Sequence, residues 1–317
     1  MTARRGFTLM ELMVALVLFG LVVAGMFSVT VTMTRGFRDQ DVTINTEAAA
    51  RASMDMLAQR VRGASPAAPT GNIQHVNTCA TGALAVVDSA TAPDVLRLVY
   101  ASGSVLTSTR STYELGTTVL TVTDASQLAA GDTLLISDLE RAHLVTIASV
   151  DTVTGIVRLV PQSCVALALP AGGYPSGSLV IRARRVELRI EQVDGIATLM
   201  MDPDAEGASP AEPLAEGIED LQIAVGVDAD GDGVLKEVGK AVGDDEWAFN
   251  VAGEVLPAGP IRALRITLVA RATQATAALP TFLRPAAENH PAATAADGFR
   301  RRSLTSTIEL RNLQGSP

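Results

Sequence analysis

Residues 4 to 35 constrain this chain more than any other stretch. Arg4 and Arg5 are followed by Gly6-Phe7-Thr8-Leu9-Met10-Glu11-Leu12, and then no charge appears until Arg35. A helix over Leu12–Thr34 would run about 34 Å at about 1.5 Å per residue, enough to cross a hydrocarbon core of about 30 Å. The two arginines would stay on the cytoplasmic side. Glu11 stands at the edge of this apolar run, where a carboxylate is costly and therefore a functional candidate. The bland alternative is a plain anchor in which Glu11 only complements the helix dipole.

The order of the parts separates the segment from a secretory signal, whose cleavage site follows the apolar stretch and removes it. Here the cut point, Gly6-Phe7, precedes the stretch, so cleavage would leave the hydrophobic helix on the mature chain. At Gly6-Phe7-Thr8-Leu9-Met10-Glu11-Leu12 the sequence resembles the class III prepilin signal of the type IV filament superfamily, the pilins and pseudopilins. That resemblance implies removal of residues 1–6 by prepilin peptidase and N-methylation of Phe7. It also implies that Glu11 pairs with the N-terminal amine of a neighbouring subunit. The physics agrees, because a buried carboxylate needs a partner.

Past the membrane the helical pattern continues. From Thr34 to Arg62 there is no proline and a single glycine, Gly36. Phe37, Ile44, Ala48, Leu57 and Val61 recur at near-helical spacing between charged residues, and Pro66 and Pro69 end the run. This predicts one helix over 7–63, with an apolar half over 7–34 and an amphipathic half over 35–63 that packs on a globular domain. Residues 64–317 read as β-rich. Val186–Glu191, Leu264–Leu268 and Ser303–Leu310 alternate in the manner of strands with one buried face. Further strands are predicted at Val95–Tyr100, Val119–Val122, Thr133–Ile136, Val145–Ala148, Ile156–Val160 and Leu179–Ile181, with turns at Gly131-Asp132 and Asp194-Gly195. Short strands and Gly/Asp turns over 118–160 predict a small inserted β-subdomain. The Ala/Pro-rich stretches Asp202–Pro213 and Ala277–Asp297 read as exposed loops. The fold class is thus α+β: a long N-terminal helix on a β-rich C-terminal domain.

A narrower resemblance appears in the C-terminal half. Gly217-Ile218-Glu219-Asp220-Leu221-Gln222-Ile223-Ala224-Val225-Gly226-Val227-Asp228 is similar to a segment of PilW-type minor pilins. Arg262–Arg271 and Arg301–Asn312 resemble the following and closing strands of that family, and Gly131–Asp138 resembles its variable middle part. Membership would imply a minor pilin that takes part in assembly and priming of a type IV pilus, in a tip complex. Its partners would be other minor pilins, the major pilin, a PilY-type tip adhesin and prepilin peptidase. It would sit in the inner membrane with a periplasmic C-terminal domain, then in the pilus. The alternatives are a GspJ-like minor pseudopilin of type II secretion and a pilus-displayed adhesive or DNA-uptake module.

Composition bears on the last of these. Net charge is −9, more negative once Arg4 and Arg5 are removed, and aromatic residues are 3%. Broad phosphate binding needs clustered positive charge, so no nucleic-acid partner is expected. Arg300-Arg301-Arg302 reads first as the solvated lead-in to a strand and second as a contact site. Cys79 and Cys164 lie outside the cytoplasm in this topology, where disulfides persist, so a bridge is expected over two free thiols. Asp228, Asp230 and Asp232 with Gly231 match the front of a calcium loop, but Gly239 stands where the bidentate glutamate belongs. An irregular calcium site and an acidic solvated turn both remain open there. His75, His143 and His290 are isolated, and no nucleophile elbow or phosphate loop is present, so no enzymatic activity is expected. Trp247 reads as partly core, with a contact residue as the alternative.

Overall fold

The computed structural model describes residues 9–68, 70–114, 116–164, 172–205, 209–237, 245–275, 281–310 and 313, without the side chains of Arg35, Asp39, Ser104 and Val105. Helix α1 runs unbroken over Leu9–Arg62. It has no proline to break its hydrogen-bond ladder, and Arg60 and Arg62 in the last turn suit the negative end of its dipole. It stops at Gly63, whose N–H bonds back to Gln59 and Arg60, and at Ser65, which has φ of +57°.

The chain then forms fourteen strands among the described residues. They are β1 Ile73–His75, β2 Leu84–Val87, β3 Val95–Ser108, β4 Val119–Thr121, β5 Thr133–Ser137, β6 Ala142–Asp151 and β7 Ile156–Leu159. After these come β8 Leu179–Val193, β9 Ile196–Asp202, β10 Glu212–Glu216, β11 Ile218–Val227, β12 Trp247–Ala248, β13 Ile261–Arg271 and β14 Arg301–Glu309. One sheet runs β10-β9-β8-β5-β6-β7-β4, with β3 also on β8, β2 on β3, and β1 on β6; the second runs β12-β11-β13-β14. Hairpin β8–β9 turns at Asp194-Gly195, both at positive φ (+52° and +79°), the backbone twist a two-residue hairpin favours.

A main core fuses three layers. The upper half of α1 (Ala50, Met54, Leu57, Ala58, Val61) meets Leu96, Leu188 and Leu199 of the first sheet and Leu221, Ile223, Ile266 and Ile308 of the second. A separate core under β4–β7 holds Leu120, Val122, Val145, Ile147 and Val157 with Tyr113 and Tyr174.

Four sequence expectations are corrected. Phe37, Ile44 and Ala48 are exposed, whereas Thr46, Ala50, Ser53, Met54, Leu57 and Val61 are buried. Ile44 and Thr46 lie about 200° apart around a helix, so the packed face is the one that begins with the small residues Thr46, Ala50 and Ser53, and it rests on β13 and β14. The strands read at 179–181 and 186–191 are one strand, β8; Arg182 lies within the sheet because Asp132 (3.5 Å) and the Ser102 carbonyl (3.1 Å) satisfy it. The loop read at Asp202–Pro213 gives way to β10 at Glu212, which pairs with β9. The loop read at Ala277–Asp297 lies outside the described residues up to 280, and beyond that Ala287 and Asn289 are buried.

Candidate functional site: an exposed helix and a clamped head

The lower part of α1 is exposed and carries no packing partner among the described residues. Its most apolar eighteen-residue window has mean hydropathy 2.6 and none of it is buried. Leu16, Val17, Phe19, Leu21, Met26 and Phe27 are each more than 60% exposed, a surface that water does not tolerate and a bilayer or a bundle of like helices would cover. Ser28, Thr30, Thr32 and Thr34 satisfy their hydroxyls on carbonyls one turn back, at 2.8–3.0 Å, so the polar groups in the stretch are internally bonded. Glu11 stands in the first turn and is exposed. The residues read as the processing site, Gly6 and Phe7, lie outside the described residues.

Above Val42 the helix enters the head. There β11 is buried on both faces. Leu221, Ile223 and Val225 point into the main core, while Asp220, Gln222, Ala224 and Gly226 point the other way. That second face is roofed by two loop segments held through charge. Asp220 receives Arg284 at 2.9 Å and His290 at 2.8 Å, and Gln222 donates to Asp220 and to the Ala92 carbonyl, both at 2.9 Å. Glu288 takes a fork from Arg265 and a bond from the Thr267 hydroxyl, and Asn289 donates to Asp88. Asp94 accepts the N–H groups of Ser89 and Ile223, each at 2.8 Å. Burial, with Asp88 and Asp220 adding to it, pushes the Asp94 carboxyl up to about 7. Gly226, farther along the same face, leaves room for Leu235 and Trp247, since a Cβ there would meet Leu235 at 2.5 Å. Trp247 is buried beside it, with the Arg265 guanidinium 4.7 Å from the ring centroid.

The histidines that look isolated in the sequence are structural partners. His290 binds Asp220, and His143 sits fully buried 2.8 Å from the Tyr174 hydroxyl. Burial pushes the Tyr174 phenol up. No signal in the sequence links His290 to Asp220, seventy positions away.

The acidic loop at 228–236 is organised around two cations of the chain itself. Asp228, fully buried at its side chain, accepts Gly231 and Gly233 N–H groups and a two-pronged contact from Arg262 at 2.9 and 3.1 Å. Asp230 and Asp232 both grip Lys236, which holds the Asp232 carboxyl down and the Lys236 ammonium up. Asp228, Asp230 and Glu246 bring one carboxylate oxygen each within 4.8 Å of one another, whereas Asp232 is not in that group. Both Glu246 oxygens accept backbone N–H groups, from Ala229 and Lys236. A cation entering here would have to compete with Lys236. Gly239 and Asp244 lie outside the described residues.

Cys79 and Cys164 are joined by a disulfide, with Cα atoms 5.2 Å apart across 85 positions. The bridge ties the turn after β1 to the segment after β7, beside the Ser163 and Cys164 N–H bonds to Val76.

Residues 190–312 match the family model of the type IV pilus-assembly protein W (PilW). Residues 1–27 match that of the prokaryotic N-terminal methylation motif. The blocks at Gly217, Arg262 and Arg301 fall inside the first match, and the one at Gly131–Asp138 falls outside it. No curated protein matches the chain. Residues 9–27 of the methylation-motif match lie on the exposed apolar part of α1, and the PilW match includes β13 and β14, on which the upper part of that helix rests. The chain is a PilW-like type IV minor pilin.

Proposed function

We propose that this minor pilin primes assembly of the type IV pilus from a complex at the filament tip. Prepilin peptidase removes residues 1–6 and Phe7 becomes the methylated N-terminus. The protein waits in the inner membrane with its head in the periplasm, then leaves the bilayer as its helix packs among those of other minor pilins and the major pilin. Glu11 sets the axial register by meeting the terminal amine of a neighbour. The head gives lateral contacts and, in this reading, helps seat a PilY-type adhesin.

The observation that carries the proposal is the bare helix over 9–34 with its one carboxylate in the first turn. A buried carboxylate is tolerated only where a counter-charge meets it, and a lone anchor has no use for such a pairing. Deletion of the gene, with pili sheared and weighed alongside secretion of a folded exoprotein, tests it. Lost pili with normal secretion is the expected result. Normal pili with failed secretion would move the chain to a type II system as a pseudopilin.

A further inference from the structure

Arg300, Arg301 and Arg302 sit together at the base of the head, where α1 leaves it. Arg300–Arg302, Phe282, Thr43 and Thr46 line a groove of about 240 Å³ there. A second, more apolar recess joins Arg300 to Gln40 and Ile44. Arg301 is spent within the head, forked on Glu219 and bonded to both oxygens of Asp297. Arg300 lies over the Phe282 ring at 5.4 Å. Arg302 is exposed and makes no ion pair among the described residues, and the same is true of Arg38 on the helix below.

Their height above the bilayer decides what they meet. Gln40 is six residues beyond Thr34, about 9 Å along the helix axis. The headgroup layer occupies roughly 5–7 Å of each side of a bilayer, and arginine stems reach down to it. The base of the head therefore stands within about one screening length, roughly 8 Å, of lipid phosphates. On a chain of net charge −9, these are cations held where the membrane begins. Asp41 opposes them, whereas the charge of Asp297 is offset by its ion pair with Arg301.

We infer that Arg302, with Arg300 beside it, and Arg38 on the other side of the helix dock the base of the head on the phosphates of anionic phospholipid around the emerging helix. The head is thereby held upright on the membrane before extraction into a filament. This rests on the membrane-anchored reading above. The exposed Ile44 (63%) beside Arg300 supplies the apolar half of an interfacial contact.

The test uses the full mature chain in nanodiscs of phosphatidylcholine alone or with three parts in ten of phosphatidylglycerol. A fluorophore on Ser303→Cys is quenched by a headgroup nitroxide lipid. Quenching should be stronger with phosphatidylglycerol and fall at high salt. Arg302→Glu should lower the docked-to-undocked ratio by more than about five-fold, the value for losing one arginine at about 1 kcal/mol, because the glutamate is also repelled, with an unchanged melting temperature; Arg38→Glu should act in the same direction. Equal quenching in both bilayers, or no response to Arg302→Glu, would overturn the inference. Failure of the chain to enter either bilayer would overturn the anchor itself and this docking with it.

Discussion

The two ends of this molecule solve the problem of polar groups in apolar surroundings in opposite ways. Along the lower helix nearly everything is apolar and bare, and the one carboxylate, Glu11, carries a charge whose proposed partner belongs to another subunit. In the head the second face of β11 carries Asp220, Gln222 and their neighbours, fully buried, and three carboxylates there are met by cations from within: Asp220 by Arg284 and His290, Glu288 by Arg265, Asp228 by Arg262. In the proposed reading assembly completes the lower helix, whereas the roof of the head is held by contacts within the chain.

Five experiments break or sharpen that contrast. The largest effect belongs to Gly6→Asp, which should abolish leader removal and leave only the longer precursor on a gel; a normal-sized mature band contradicts it. Glu11→Ala should leave cleavage intact and lower the amount of this chain in sheared pili by about a hundred-fold or more, since breaking a buried charge pair costs about 3–5 kcal/mol. Wild-type incorporation would show that the helix needs no counter-charge.

The same substitution logic inside the head should act on folding instead. Asp220→Ala strips Arg284 and His290 of their carboxylate and should destabilise the head by about 3 kcal/mol, seen in chemical denaturation, with the protease sensitivity of the 284–291 segment rising. Replacing Cys79 and Cys164 together by serine should cost about 2–4 kcal/mol, with the loss confined to the β4–β7 end in hydrogen exchange. If exchange instead rises over β11 and β13, the two cores are one cooperative unit.

The smallest effect is a pH slope. Asp94 has a folded-state value raised to about 7 from 3.8, so between these limits the folded state binds more protons than the unfolded one. Its contribution to stability is fully present below about pH 4 and is lost as pH rises through about 7. Asp94→Asn should therefore gain in melting temperature relative to wild type on going from pH 5 to pH 8. A difference that stays flat would mean that the Ser89 and Ile223 N–H groups outweigh burial.

The lower helix was legible because its signal is local. Gly6, Phe7, Glu11 and the uncharged run need no knowledge of tertiary neighbours. Two strands of the second sheet, β13 and β14, were legible for a related reason, since Leu264–Leu268 and Ser303–Leu310 alternate. The roof was not. β11 is buried on both faces, so Asp220 and Gln222 look like an ordinary solvated face, and His290 and Arg284 look like loop residues. Their pairing is set by sequence separations of sixty-four to seventy positions that no periodicity reports. The amphipathic half of α1 misled for a different reason. Phe37 and Ile44 are large apolar side chains left exposed, because the head packs against the face that carries Thr46, Ala50 and Ser53 with Met54, Leu57 and Val61.

The most direct test of the central claim is mass analysis of the N-terminal peptide of this chain in sheared pili. The account predicts a peptide in the pilus fraction that begins at N-methylated Phe7 and retains Glu11. A chain confined to the membrane fraction with Met1–Gly6 still attached would contradict it.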